Sequence, residues 1–139
     1  MDKIVLKESA QDPQKLYKLI EITFGNKYQF HEDFAPEFVE LISKSGSEVK
    51  LLKQLMGRLR MIIELDDIDC GLKWLEKLKA YDNMYSLHLD ADSKNYRILF
   101  SKNKKGKLFL HMFYEKDGKT NTSYEKHVLI AISRRDGTT

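Results

Sequence analysis

Residues 84–115, MYSLHLDADSKNYRILFSKNKKGKLFLHMFYE, decide how this chain is read. Apolar residues alternate with polar ones in three runs, Met84 to Asp90, Tyr96 to Lys102 and Lys107 to Glu115. A period of two marks half-buried strands. The intervening Asp90-Ala91-Asp92-Ser93 and Asn103-Lys104-Lys105-Gly106 are turn-forming and too short for anything but antiparallel pairing.

Upstream the period becomes helical. Met1 to Lys7 predicts a short strand around Ile4, Val5 and Leu6. Asp12-Pro13 opens a helix whose Leu16, Leu19, Ile20 and Thr23 share a face and which ends at Gly25-Asn26. After an extended stretch at Tyr28, helical spacing returns in Phe34, Phe38, Leu41 and Ile42. Ser47 is placed to cap a third helix running to about Leu65, with Val49, Leu52, Leu55, Met56, Leu59, Ile62 and Ile63 on a broad apolar face. Gly57 inside it costs about 1 kcal/mol relative to alanine. Asp66, Asp67 and Asp69 break the pattern, and Leu72, Trp74, Leu75 and Leu78 predict a short helix or amphipathic connector. Downstream of the strands, Asp117-Gly118 is a turn. Thr122 and Glu125 have capping-box spacing for a closing helix with Tyr124, Val128, Ala131 and Arg135 on one face, extended by Leu129 and Ile132. The expected fold is α+β: N-terminal helices packed on a small antiparallel sheet, with a C-terminal helix.

The 139 residues fit one domain, and 42% hydrophobic with 32% charged residues is ordinary for a globular protein. The single cysteine, Cys70, can form no internal disulfide. No apolar run has transmembrane length and Met1 to Ala10 lacks a signal-peptide pattern, so a cytoplasmic location is expected. Net charge is only +3, but Lys94 to Arg135 holds 11 basic and 3 acidic residues, leaving 13 basic and 18 acidic elsewhere. That asymmetry favours a polyanion as partner for the C-terminal half.

Alternation puts His88 and Arg97 on one sheet face if Leu89 pairs with Tyr96, and an odd-length second loop would bring His111 beside Arg97. With a helix on one face only, the other is left as a shallow, basic, partly aromatic surface, close to Lys116, Lys119, Tyr124 and His127. Metal-independent RNA cleavage needs a base for the 2′-hydroxyl, cations for the phosphate and an acid for the leaving 5′-oxygen, and these residue types can supply them. Ion pairing of Arg97 with Asp90 or Asp92, and packing roles for the histidines, are the structural alternatives. There is no Gly-rich phosphate loop and no metal-ligand spacing, so no cofactor is expected. The carboxylates are scattered in a way that disfavours a two-carboxylate glycosidase.

The strings Leu75-Glu76-Lys77-Leu78-Lys79, Met84-Tyr85-Ser86-Leu87-His88, Tyr96-Arg97-Ile98-Leu99-Phe100 and Leu110-His111-Met112-Phe113 resemble, in order and spacing, the RelE/HigB toxins of bacterial toxin–antitoxin pairs. Lys116 and Lys119-Thr120, then His127-Val128-Leu129-Ile130-Ala131 with Arg134, continue the resemblance over about 60 residues. His88 departs from it, standing where that family has arginine. The resemblance implies a toxin domain over residues 28–139 preceded by an extension over 1–27, and a ribosome-dependent mRNA endonuclease. It implies a cognate antitoxin and ribosome-bound mRNA as partners, and leaves room for a homodimer. Carried over by position, Arg97, Lys119, Tyr124 and His127 would be catalytic. His88, Lys102, Lys104, Lys105, Lys107, His111, Lys116, Arg134 and Arg135 would bind RNA. Sister groups act on gyrase without cleaving RNA, and a phage-derived protein without toxicity is a third reading.

Overall fold

The computed structural model describes residues 13–25, 27–64, 72–104, 106–115 and 121–137. Among these are four helices, α1 (Pro13–Phe24), α2 (Phe34–Ser45), α3 (Glu48–Glu64) and α4 (Asn121–Asp136). The strands are β1 (Tyr28–Phe30), β2 (Leu75–Lys77), β3 (Tyr85–Ala91), β4 (Lys94–Asn103) and β5 (Gly106–Tyr114). They form one sheet in the order β1-β5-β4-β3-β2. Four of the predicted elements around the meander are thus present, and two short edge strands join the central three.

The α+β class holds, but the sheet is mixed. β1 runs parallel to β5, pairing Tyr28 with Lys107 and Phe30 with Phe109, which corrects the purely antiparallel expectation. The segment around Leu75 is also corrected. It is an edge strand on β3, and its extended run continues into the bond from the His88 amide to the Trp74 carbonyl at 2.8 Å. Only Leu75 of that strand is buried, so the leucine spacing there was a poor guide to a helix. The predicted strand at Met1 to Lys7, the Asp117-Gly118 turn and Cys70 lie outside the described residues.

The sheet is covered on both faces. On the first, α1, α2 and α3 bury Ile20, Phe24, Phe34, Phe38, Ile42, Leu52, Leu55 and Leu59 against Leu87, Ile98, Phe100 and Phe109. An aromatic row crosses four strands, with ring centroids 5.1 Å apart for Tyr28–Phe109, 5.1 Å for Phe109–Phe100 and 5.3 Å for Phe100–Tyr85. Such cross-strand pairs hold register. On the second face α4 sets Val128 and Ala131 on Leu99, Leu108, Leu110 and Phe113, with Tyr124 and Ile132 alongside. The open second face expected from the sequence is therefore occupied, and Leu129, expected on the apolar side of α4, is exposed.

Two backbone devices set the geometry. The β3–β4 hairpin turns on Asp92 and Ser93, at φ 50° and 66°, the left-handed pair of a two-residue loop. Asp92 is held there by the Ser47 hydroxyl, which donates to its carboxylate, and by Lys50 at 2.8 Å. The second device is a bulge in β5. Asn103 pairs with Gly106 and Phe100 with Phe109, yet Leu99 pairs with His111, so Leu110 is an extra residue. Without it, the hairpin register would put His111 opposite Ile98, on the face of α1–α3. The bulge turns His111 and Phe113 to the face of α4.

Gly106 sits at φ +131°, and a Cβ on it would lie 2.8 Å from the Lys27 carbonyl oxygen, whereas nothing lies within 4 Å of a Cβ on Gly57. Gly57→Ala is expected to raise stability by about 1 kcal/mol. Gly106→Ala is expected to lower it by about 1–3 kcal/mol, because it meets strain and forces β1 away from β5. Urea unfolding of the two variants checks the pair, and equal effects of the same sign would contradict this account of the hairpin.

Candidate functional site

β1 covers β5 only as far as Phe109, so the β5 edge beyond it is open to α2. Glu37, in the first turn of α2, fills this gap. Its carboxylate lies 3.4 Å from the Met112 backbone amide and 2.9 and 3.0 Å from Nδ1 of His111. On the far side of the ring, His111 Nε2 is 2.7 Å from Nδ1 of His127, on α4. Arg134, two turns further along α4, closes the cluster with two bonds of 2.7 Å to the Glu37 carboxylate.

The partners dictate the protons. Arg134 Nη1 donates to Glu37 at 2.7 Å and to the Leu110 carbonyl at 2.9 Å, which uses both of its hydrogens. Its 3.3 Å approach to His111 Nδ1 is therefore proximity and not a bond. Glu37 is ionised. Burial pushes its carboxyl up, but hydrogen bonds and positive charge from His111 and Arg134 outweigh this and bring it from an ordinary 4.5 to about 2. His111 Nδ1 must then carry a proton and donate it to Glu37. In the form in which His111 Nε2 bears no proton, it accepts from His127 Nδ1–H and His127 Nε2 is left with a lone pair; in the form in which it bears one, that bond reverses and the proton of His127 sits on Nε2. Among the described residues that nitrogen has no hydrogen-bond partner. Burial, and then the charges of His111 and Lys126, lower the pKa of His127, with Glu37 opposing. The outer imidazole therefore favours its neutral form more than a free histidine does, and its ring is half-buried.

Phe113 is the platform beneath. Its ring stacks on His127 at 4.0 Å with a 4° interplanar angle, and meets Tyr124 edge-on at 5.4 Å. Phe113 pairs across the ladder with Arg97, which in turn pairs with His88. Arg97 and His111 therefore lie on the sheet face covered by α4, the helix that carries Tyr124 and His127. Arg97 Nε bonds Glu115 at 2.9 Å, so the carboxylate expected from Asp90 or Asp92 comes from the end of β5 instead. The terminal nitrogens of Arg97 have no hydrogen-bond partner among the described residues. The Tyr124 hydroxyl donates to Ser86 at 2.9 Å, and burial raises its pKa, so it stays protonated. His88 is half-buried, with Nε2 at 2.9 Å from the Asn95 side-chain oxygen.

The other sequence candidates go elsewhere. Lys102 and Lys107 pair with each other at the far end of the β4–β5 hairpin, on the face of α1–α3, and Lys104 is exposed at its tip. Arg135 reaches back to the Asp82 carbonyl at 2.7 Å. An open cleft of about 700 Å³, lined by Gln29, Asn83, Asn103, Lys104 and Arg135 among others, lies at this end, away from the imidazoles. Lys105, Lys116 and Lys119 lie outside the described residues. Glu37 was missed altogether. It stands 74 positions from His111, and its place between Phe34 and Phe38 resembles that of any polar residue on an amphipathic helix.

Comparison with known proteins returned no matching family model, no matching curated protein and no matching solved structure. Among the described residues no helix is long and apolar enough to cross a membrane.

A depressed carboxyl stabilises the fold above its unfolded-state pKa, and that contribution is lost as pH falls toward the folded-state value. For Glu37 the window runs from about pH 4.5 down to about 2. Across it the native protein should lose at most about 3 kcal/mol through this group. Glu37→Gln should be less stable at neutral pH and lose less on acidification. Urea unfolding at several pH values tests this, and an unchanged acid profile in Glu37→Gln would contradict the ionised assignment.

Proposed function

We propose that this chain is an endoribonuclease that cleaves through the 2′-hydroxyl without a metal, with His127 as the group that moves the proton. The observation that carries the reading is the Glu37–His111–His127 chain, with contacts of 2.9 and 2.7 Å, ending on a His127 ring that stacks on Phe113, the ladder partner of Arg97. A single surface imidazole can take a proton unaided. A backed one holds a fixed tautomer, and the positive charge it acquires is stabilised from behind.

In this mechanism His127 Nε2 takes the proton of the 2′-hydroxyl as the oxygen attacks phosphorus. The Nδ1 proton of His127 moves to His111 Nε2, and the charge comes to rest on the imidazolium between His127 and Glu37. The free guanidinium nitrogens of Arg97 offset charge gathering on the phosphoryl oxygens. The P–O5′ bond breaks, leaving a 2′,3′-cyclic phosphate and a 5′-hydroxyl. The leaving oxygen takes its proton from water or from Lys119, the sequence candidate that precedes α4. Tyr124, held by Ser86 and kept protonated, orients the wall of the site.

The resemblance of the meander and closing helix to RelE/HigB toxins supports a narrower version. In it the chain is the toxin of a toxin–antitoxin pair, its substrate is mRNA on the ribosome, and an antitoxin protein holds it inactive. Incubation of purified protein with translating ribosomes and mRNA tests both levels. Cleavage should persist in EDTA-treated RNA without ribosomes if only the chemistry is right, and should require ribosomes if the toxin reading is right. His127→Ala should lose about 10²–10⁴-fold in rate. The acid limb of the pH–rate profile should have a midpoint below 6.5, the ordinary histidine value, and should move lower still in Glu37→Gln, since Glu37 raises the His127 pKa. Intact RNA under all conditions with folded protein would overturn the nuclease reading. Growth arrest that survives His127→Ala would favour a partner-binding toxin, such as one acting on gyrase.

A further inference from the structure

The cations that the sequence reading assigns to RNA are divided between two ends of the sheet. At the end opposite the imidazole chain, the strand register aligns Lys102 with Lys107, and Lys107 with Tyr28. Asn83 brings the chain preceding β3 to the same level, since its side chain bonds both the amide and the carbonyl of Lys102, at 2.9 and 2.7 Å. Lys27 lies at this level too, its carbonyl under Gly106, and Lys104 extends from the hairpin tip.

Among the described residues none of Lys27, Lys102, Lys104 and Lys107 has an ion-pair partner, whereas Arg97 and Arg134 on the other face each hold a carboxylate. The ammoniums are set over rings instead: Lys102 is 5.1 Å from the Tyr85 centroid and Lys107 is 6.0 Å from that of Tyr28. Burial, followed by the charge of Lys102, lowers the pKa of Lys107, so the two ammoniums repel each other in the free protein. Like charges held together, over aromatic faces and beside a cleft of about 700 Å³ with amide-bearing walls, form a surface that an anionic chain would relieve. Asp136 at the rim of that cleft is spent on Arg135, at 3.1 Å.

We infer that the hairpin end of the sheet, centred on Lys102, Lys104 and Lys107, is a docking surface for the backbone of a single-stranded RNA, separate from the His127 site. The identity of the polyanion rests on the ribonuclease reading; the surface itself does not. Lys107 and Phe113 are six residues apart on β5, roughly 20 Å at the rise of a strand. The two residues face opposite sides of the sheet, so a strand touching both sites follows a path longer than this, about six nucleotides or more where its bases are stacked. The substrate is accordingly a long chain rather than a dinucleotide.

The test is binding of 2′-O-methyl RNA, which cannot be cleaved through the 2′-oxygen, so that binding is read apart from catalysis. Fluorescence anisotropy would be followed for a 20-nucleotide and a 3-nucleotide probe across a salt series. The long probe should bind at least tenfold more tightly than the short one. Lys102→Gln/Lys107→Gln should weaken it about tenfold at 0.1 M salt and reduce the log–log salt slope by about 1.4, for two lost phosphate contacts. Lys104→Gln, at an exposed tip where folding is not at stake, should reduce the slope by about 0.7. Unchanged affinity and slope in both variants would overturn the inference, as would equal affinity for the two probes. Displacement of the long probe by an equal charge concentration of polyglutamate would also overturn it, in favour of an acidic protein as the occupant. Should unmodified RNA stay uncut while these binding results hold, the docking surface stands and the nuclease reading falls.

Discussion

β5 carries one residue more than β4 has room to pair, and the position of that residue decides which face every later side chain of the strand occupies. The step falls between Leu99 and Phe100 on the partner strand, leaving Leu110 as the extra residue. Before it, Phe109 packs in the aromatic row beneath α2 and α3. After it, His111 and Phe113 turn toward α4 while Met112 takes the opposite face. A register slip of one would bury both imidazole and ring among the wrong helices. The bulge also coincides with the end of β1, so the β5 edge is bare where His111 emerges. An α2 carboxylate can therefore reach round that edge, and Glu37 joins three elements that hydrophobic packing alone would leave merely adjacent.

In the proposed reaction the cluster that holds the structure together also carries the chemistry. Glu37, His111 and Arg134 are charged or polar groups taken largely out of water, and each is satisfied by the others and by the backbone of β5. Removing one member strands the rest. The cluster nevertheless stops at a half-buried imidazole rather than closing on itself. The cations at the hairpin end have the opposite character: repulsive toward one another and unpaired, they weaken the isolated fold and suit a polyanion.

Much of the fold was legible in the sequence because it is written in local periods. The alternation of Met84 to Glu115 gave the meander, and the spacing of Phe34, Phe38 and Ile42 gave α2. The pairing of Leu89 with Tyr96 correctly placed His88 opposite Arg97. What was illegible is non-local. β1 is three residues long and takes its direction from β5, far along the chain. β2 owes its extended form to an edge it pairs with, not to its own leucines. The covering of the second face by α4 rests on Val128 and Ala131 meeting Leu99, Leu108 and Leu110, which lie far from them along the chain. In the site, His127 and Tyr124 could be nominated from residue type alone. Glu37 could not, because the bulge that brings His111 to it leaves no mark on residue type or spacing.

The most direct test of the account is the protonation of His111, read by nitrogen-15 NMR of histidine-labelled protein at neutral pH. The hydrogen-bond chain requires a proton on His111 Nδ1 whether the ring is neutral or charged, protected from exchange by Glu37 and deshielded by that short contact. A slowly exchanging Nδ1–H resonance on His111 that is lost or displaced in Glu37→Gln is the predicted result. A neutral His111 carrying its proton on Nε2, with a bare Nδ1 exchanging freely with water, would contradict it.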